Sequence, residues 1–311
     1  MLAAMLQKSI LIIRLSSRLI LLVALFLPVL ILLPIWVLQE RHRIRNNLPS
    51  KSTWWPHYLT WSFEMAGPAF TKLGQWASSR SDLFPSVVIA VLSKLQENVR
   101  SHSFRQTELI IQDQYGLSIQ DLFASFDKTP IGTGAIAQVY RAKLKASGHD
   151  VAVKVLHPGV DTAIEIDLWI MLTVANVINL LPGAEWLSLP EEIQVFSQMM
   201  KNQLDLKIEA QHLSKFNEHF EKENGVKFPS PLIYLSRRQV LVESFENGIP
   251  IIRFLQQSTP FNNDLGKLGM QFFLVSSTLI LDRKCLFWIT LSMQICTQEI
   301  YIFNSTRKTR N

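Results

Sequence analysis

From Thr129 to Pro158 the chain changes its rhythm. TPIGTGAIAQVYRAKLKASGHDVAVKVLHP alternates apolar and polar residues, with a turn at Ser147-Gly148. Alternation sends successive side chains to opposite faces of a strand, so this stretch predicts paired antiparallel strands. FPSPLIYLSRRQVLVESF, residues 228–245, reads as two more strands turning near Ser236–Arg238. Elsewhere apolar residues recur every three or four positions, the spacing of a helix face. Helices are expected across 61–128, one of them opening at Pro85 and another pair broken at Gly116, and again over 160–181 and 190–223. The expected fold is α+β, with a five-stranded antiparallel sheet and a pair of helices inserted between its strands.

Chemistry concentrates in the strand region. Gly132-Thr133-Gly134-Ala135-Ile136-Ala137-Gln138-Val139 follows the pattern GxGxxAxV. In a strand–loop–strand setting, small residues let backbone close over phosphates and turn N–H groups toward them. Val139 would pack on a base. Across the hairpin, Val151-Ala152-Val153-Lys154 is a VAIK-type strand whose Lys contacts phosphates in kinases. A third element, KNQLDLKIEAQHLSKF, sets Asp205 and Glu209 four residues apart on one expected helix face, with Glu209 the candidate partner of Lys154. Each element alone has a plainer reading: a common glycine turn, a solvent-facing Lys, a solvated acidic face. The three together, in this order, point to a kinase small lobe. Gln239–Gly248, an apolar strand entering an acidic turn at Glu243, fits the hinge whose backbone bonds adenine. Lys154 and Glu209 lie 55 positions apart, too far for an ordinary protein kinase.

That insertion, together with Lys72-Leu73-Gly74-Gln75 and the following run Trp76–Pro85, resembles the UbiB family of AarF-domain atypical kinases. The resemblance covers about 60–271 and leans toward a mitochondrial animal branch. It implies a small lobe with a helical extension carrying the regulatory KxGQ motif (Lys72, Gly74, Gln75), which in the family packs across the nucleotide cleft. It implies ATP as cofactor, held by Gly132, Gly134, Ala135, Val139, Lys154, Glu209 and Glu243. It also implies a link to ubiquinone (coenzyme Q) biosynthesis or mitochondrial lipid metabolism. The implied partners are a membrane, a nucleotide, and a lipid or quinone intermediate or a coenzyme Q biosynthesis protein. Gly-Thr-Gly-Ala replaces the Ala-rich loop of the best-studied members, and Gln203-Leu204-Asp205 stands where they have an ExD motif.

Leu19–Leu38 contains no charged residue. Twenty apolar residues rise about 30 Å as a helix, the thickness of a hydrocarbon core. Arginines flank both ends, so a single-pass anchor is expected rather than a signal peptide, which would be shorter and end in small residues. Residues 1–50 carry six Lys or Arg against Glu40 alone, so +5 of the net +6 sits there. The basic balance therefore belongs to the anchor's flanks and gives no sign of nucleic-acid binding. Cys285 and Cys296 have no metal-binding spacing. The expected segments are 1–18 basic, 19–38 transmembrane, 39–60 connector, 61–128 KxGQ extension, 129–250 small lobe, 251–271 start of a large lobe, and 272–311 a divergent apolar tail.

Phosphotransfer needs an Asp with an Asn five positions on, and a second Asp for Mg²⁺. After Glu246 the acids are Asp264, Asp282 and Glu299; no Asn lies five positions beyond either Asp, and no His follows His219. The large lobe is expected to be largely missing, with the tail as the product of a truncated or alternative transcript. Nucleotide binding without catalysis is the expected activity, and no catalytic or metal-binding residue is assigned. The alternatives are a non-catalytic membrane-tethered scaffold or regulator, and a fragment that does not fold stably.

Overall fold

A computed structural model of the chain describes residues 2–46, 54–80, 86–93, 95, 101–221 and 228–246. The expectations for Ser81–Pro85, for the end of the hinge at Asn247 and Gly248, and for 251–311 lie outside the described residues. The chain divides into two compact units. The first comprises Met1–Val99 and Gly159–Lys201; the second comprises Arg100–Pro158 and Asn202 onward.

The first unit is helical: α1 (Leu2–Arg45), α2 (Trp54–Met65), α3 (Pro68–Ser78), α4 (Ser86–Leu92), and the inserted α7 (Val160–Asn179) and α8 (Leu189–Gln203). The helix α1 is long and apolar enough to cross a membrane by length and composition. It runs through Pro28 and Pro34 and takes in the basic amino-terminal segment. The described parts of the expected connector are helical too, since α1 continues to Arg45 and α2 begins at Trp54.

These two helices form an antiparallel hairpin. Trp36 stacks on Trp55 with centroids 4.6 Å apart, and Phe26 meets Phe63 and Phe70 at 5.3 Å. The Trp55 indole donates to the Val29 carbonyl at 3.0 Å, one of the groups near Pro28 and Pro34. On the opposite side of α1, Ile12, Ile20, Leu27, Leu30, Ile31 and Leu38 stay exposed. One face is thus packed by protein, while the other presents apolar side chains.

Ion pairs join the insertion to this unit. Arg18 grips Asp167 of α7 with both Nε (2.6 Å) and Nη2 (2.7 Å), and also donates to the Ala66 carbonyl. Asp167 is 1 % exposed. Burial pushes its carboxyl up, and the Arg18 guanidinium opposes that. Arg80 makes a similar fork to Glu192 at 2.7 and 3.0 Å.

The second unit carries the sheet. Its elements are α5 (Phe104–Tyr115), α6 (Ile119–Leu122), β1 (Phe123–Phe126), β2 (Gly132–Thr133), β3 (Ala137–Leu144), β4 (Asp150–Leu156), α9 (Leu206–His219) and β5 (Val240–Ser244). All pairings are antiparallel, in the order β1-β3-β4-β5, with β2 on β3. Tyr140, Ala142, Val151, Val153, Val155, Val240 and Val242 cover one face and pack with Ile111 and Ile119. Alternation puts Val139, Ala152, Lys154, Leu241 and Glu243 on the other face.

Five strands were expected and five are present among the described residues, but two memberships differ. Phe123–Phe126, read as helix, is a strand: α6 stops after one turn, and Phe123 and Phe126 turn into the aromatic core around Tyr140. Residues 228–235, read as a strand, form only an isolated bridge from Pro231 to Glu243 and then a turn closed by Leu235 N–H to the Leu232 carbonyl at 2.9 Å. Pro229 and Pro231 lack the N–H that a ladder needs. The helix expected over 190–223 breaks at Leu204-Asp205. Asp205 is extended and caps α9, accepting from Lys207 N–H at 3.0 Å, so it does not share a helix face with Glu209.

Candidate functional site

Cross-strand register builds the site. Val139 on β3 stands opposite Lys154 on β4, which stands opposite Leu241 on β5. Glu209 sits in the first turn of α9, where the positive end of the helix dipole favours a carboxylate. Two bonds aim that turn: the Asp205 cap, and Leu206 N–H to the Arg238 carbonyl just before β5, at 2.9 Å. The result is a 2.7 Å contact from Lys154 Nζ to Glu209 Oε1, with side chains 12 % and 25 % exposed. A charge-assisted bond of this length fixes a long, flexible ammonium in one place. The separation of 55 positions arises from α7 and α8, inserted between the two and belonging mainly to the other unit.

The glycine-rich loop lies between β2 and β3. Gly134 N–H bonds the Ala137 carbonyl at 2.8 Å, so that amide closes the turn instead of facing outward. Ala135 is buried. Neither Gly132 nor Gly134 has positive φ. A Cβ at Gly132 would meet nothing within 4 Å. Neither backbone conformation nor crowding within the chain requires glycine at 132, and the space beside it is open. The residues therefore fit a phosphate group: a fixed ammonium, an open loop, and small or apolar side chains on the same sheet face.

Glu243 pairs with Ala152 in β4 and bridges to Pro231, so its backbone is engaged on both sides of β5. Ala152 and Leu241 were not singled out from sequence. Counting two residues back from Lys154 would have found Ala152; Leu241 needed the β4–β5 register.

In the first unit, Lys72 is fully buried in α3, and Gln75 donates to the Leu95 carbonyl at 3.4 Å. Gly74 differs from Gly132. A Cβ there would lie 2.2 Å from Leu95 Cδ1 and 3.0 Å from Phe63 Cδ1, so packing within the chain demands glycine. Gln203, at the ExD-like position, is buried, and its Oε1 has no hydrogen-bond partner among the described residues.

The profile of the ABC1 atypical kinase-like domain matches residues 94–283. The chain belongs to the ABC1 atypical kinase-like family. An ABC1 family protein of Schizosaccharomyces pombe, named as mitochondrial, is 38 % identical over 274 residues, covering 78 % of this chain and 40 % of its own. A mitochondrial ABC1 family protein of Saccharomyces cerevisiae is 41 % identical over 258 residues, covering 77 % and 39 %. A Vibrio cholerae protein named "probable protein kinase UbiB" is 31 % identical over 194 residues, covering 62 % and 36 %. The chain thus spans about two fifths of the length of these curated relatives. Among solved structures, the complex of Rv3197 with erythromycin from Mycobacterium tuberculosis aligns with a TM-score of 0.46 at 24 % identity, covering 75 % of this chain and 56 % of that one.

Proposed function

We propose that this ABC1-family chain binds ATP on the sheet face that carries Lys154. The Lys154–Glu209 ion pair carries the reading, because it couples two residues 55 positions apart in the arrangement that phosphate binding needs. Lys154 neutralises the α and β phosphates, and Glu209 holds it in place. Gly132 and Gly134 leave room for the phosphates beside Ala135. Val139, Ala152 and Leu241 pack on the base, and Glu243 leads into the hinge. The groups that orient a nucleophile and hold Mg²⁺ have no counterpart in the sequence, so binding without turnover is expected of these 311 residues.

The proposed location is a mitochondrial membrane. The mitochondrial names of its relatives and the apolar face of α1 support this. Its proposed role lies in coenzyme Q or mitochondrial lipid metabolism, with an apolar lipid or quinone intermediate or a coenzyme Q biosynthesis protein as partner. The test is thermal stabilisation of the purified full chain by ATP. A shift that disappears in Lys154→Ala is expected. An equal shift in both proteins rejects the site, and no shift in the wild type favours a nucleotide-independent scaffold.

A further inference from the structure

Beneath the glycine-rich loop runs a chain of hydrogen bonds that the nucleotide reading does not use. His157, just after β4, places Nε2 3.0 Å from the Gly134 carbonyl, and its Nδ1 lies 2.7 Å from Nδ1 of His102. His102 Nε2 is 2.9 Å from Thr107 Oγ1, which is 2.7 Å from the Tyr140 hydroxyl. Gln138 bonds that hydroxyl through Nε2. It also brackets the His102 backbone, accepting from its N–H at 3.1 Å and donating to its carbonyl at 3.2 Å.

The two ends of this chain determine its direction. A carbonyl only accepts, so His157 Nε2 carries a hydrogen. The bracket on His102 fixes which end of the Gln138 amide is NH₂, so Gln138 donates to Tyr140. One consistent assignment follows. Gln138 donates to Tyr140, Tyr140 to Thr107, Thr107 to His102 Nε2, His102 Nδ1 to His157 Nδ1, and His157 Nε2 to Gly134. Both imidazoles are neutral and hold opposite tautomers. A proton on His157 would reverse every bond up to Tyr140. The phenol oxygen would then accept from both Thr107 and Gln138, leaving its hydrogen in a buried site with no acceptor among the described residues.

We propose that His157 and His102 are positioning residues that clamp the glycine-rich loop through Gly134, and that they do so only while both rings are neutral. His157 adds a second tie, its backbone N–H to the Ile136 carbonyl at 2.8 Å. Among the described residues, the titratable groups in this chain of bonds are the two rings and Tyr140 from β3, which reaches them through Thr107. Among the described residues, no carboxylate or basic side chain bonds either ring. Burial lowers both imidazoles, which agrees with neutral rings.

The clamp rests on the loop geometry, and only its consequence for affinity rests on the ATP reading. The test uses the full chain in detergent. Imidazole ¹⁵N spectra at pH 7.5 are expected to show His157 protonated at Nε2 and His102 at Nδ1, assigned with His102→Asn and His157→Gln. The same tautomer on both rings, or a cationic ring, overturns the proposal. Hydrogen exchange of amides 132–137 is expected to quicken roughly 3- to 10-fold in His157→Ala, the factor a lost hydrogen bond gives. His157→Gln, which keeps a donor at the Nε2 position, is expected to restore the wild-type rate. Acidification to about pH 4, where His102 takes up a proton, is expected to loosen the wild-type loop but not that of His157→Gln. Indifference of the loop to His157→Ala rejects the clamp even if ATP binds. A loosened loop in a protein that binds no ATP supports the clamp and rejects the ATP reading.

Discussion

Two glycines illustrate how one residue type serves different ends. Gly74 is demanded by its neighbours in the first unit, whereas Gly132 faces open space. Gly74→Ala is expected to destabilise the protein by about 1–3 kcal/mol, the usual cost of overpacking, read as a lower urea midpoint. Gly132→Ala is expected to leave that midpoint within about 0.5 kcal/mol while weakening ATP binding. Equal midpoints for the two variants would contradict the contrast. The histidines add a pH dependence. His102 is lowered from 6.5 to about 4, mainly by burial and then by His157. Across that window the unfolded chain binds more protons than the folded one, so stability rises with pH. It is expected to be lost as the pH falls from 6.5 toward about 4, by on the order of 1–3 kcal/mol. Urea titrations at several pH values check this, and His102→Gln should flatten the curve.

At the scale of elements, the start of α9 matters most. The Asp205 cap, the Leu206–Arg238 bond and Glu209 all fall within two turns, so one helix terminus sets the ion pair. Asp205→Ala is expected to cost about 0.5–2 kcal/mol, the range for losing an N-cap. It should also weaken ATP binding, because a frayed first turn releases Glu209. Calorimetry with ATP on the variant measures both, and unchanged affinity would show that the carboxylate is held by other means. The same scale explains the misread elements. Phe123 and Phe126 have no strand period over four residues, and their aromatic contacts with each other and with Tyr140 override the helix pattern before them. Around Pro231 the apolar run suggested a strand, while two prolines withheld the donors.

At the scale of the molecule, the chain leaves the sheet-bearing unit at Pro158, contributes α7 and α8 to the helical unit, and returns at Asn202. The helical unit is therefore completed by residues far apart in sequence, as the Arg18–Asp167 fork shows. The helix α1 has two jobs in that unit, offering an apolar face outward and covering Trp55, Phe63 and Phe70. Deleting residues 1–46 is thus expected to do more than release the protein from membranes. It uncovers aromatic side chains whose burial is worth roughly 1.5–3 kcal/mol each, so the shortened chain should aggregate in size-exclusion chromatography. A monodisperse shortened chain with an unchanged melting temperature would show that α1 is an anchor alone.

The sequence by itself determined the apolar helix, the α+β class, and the Lys154–Glu209 pairing. The first two are written in local periodicity; the pairing is legible only from three motifs in order, each of which alone has a plainer reading. Only the tertiary structure decided which face of the sheet holds Lys154, that Asp205 is a cap, and that Gly74 and Gly132 differ. It alone brought His102 and His157 together beneath the loop. Those outcomes depend on cross-strand register and on contacts between residues dozens of positions apart, which no period along the chain encodes.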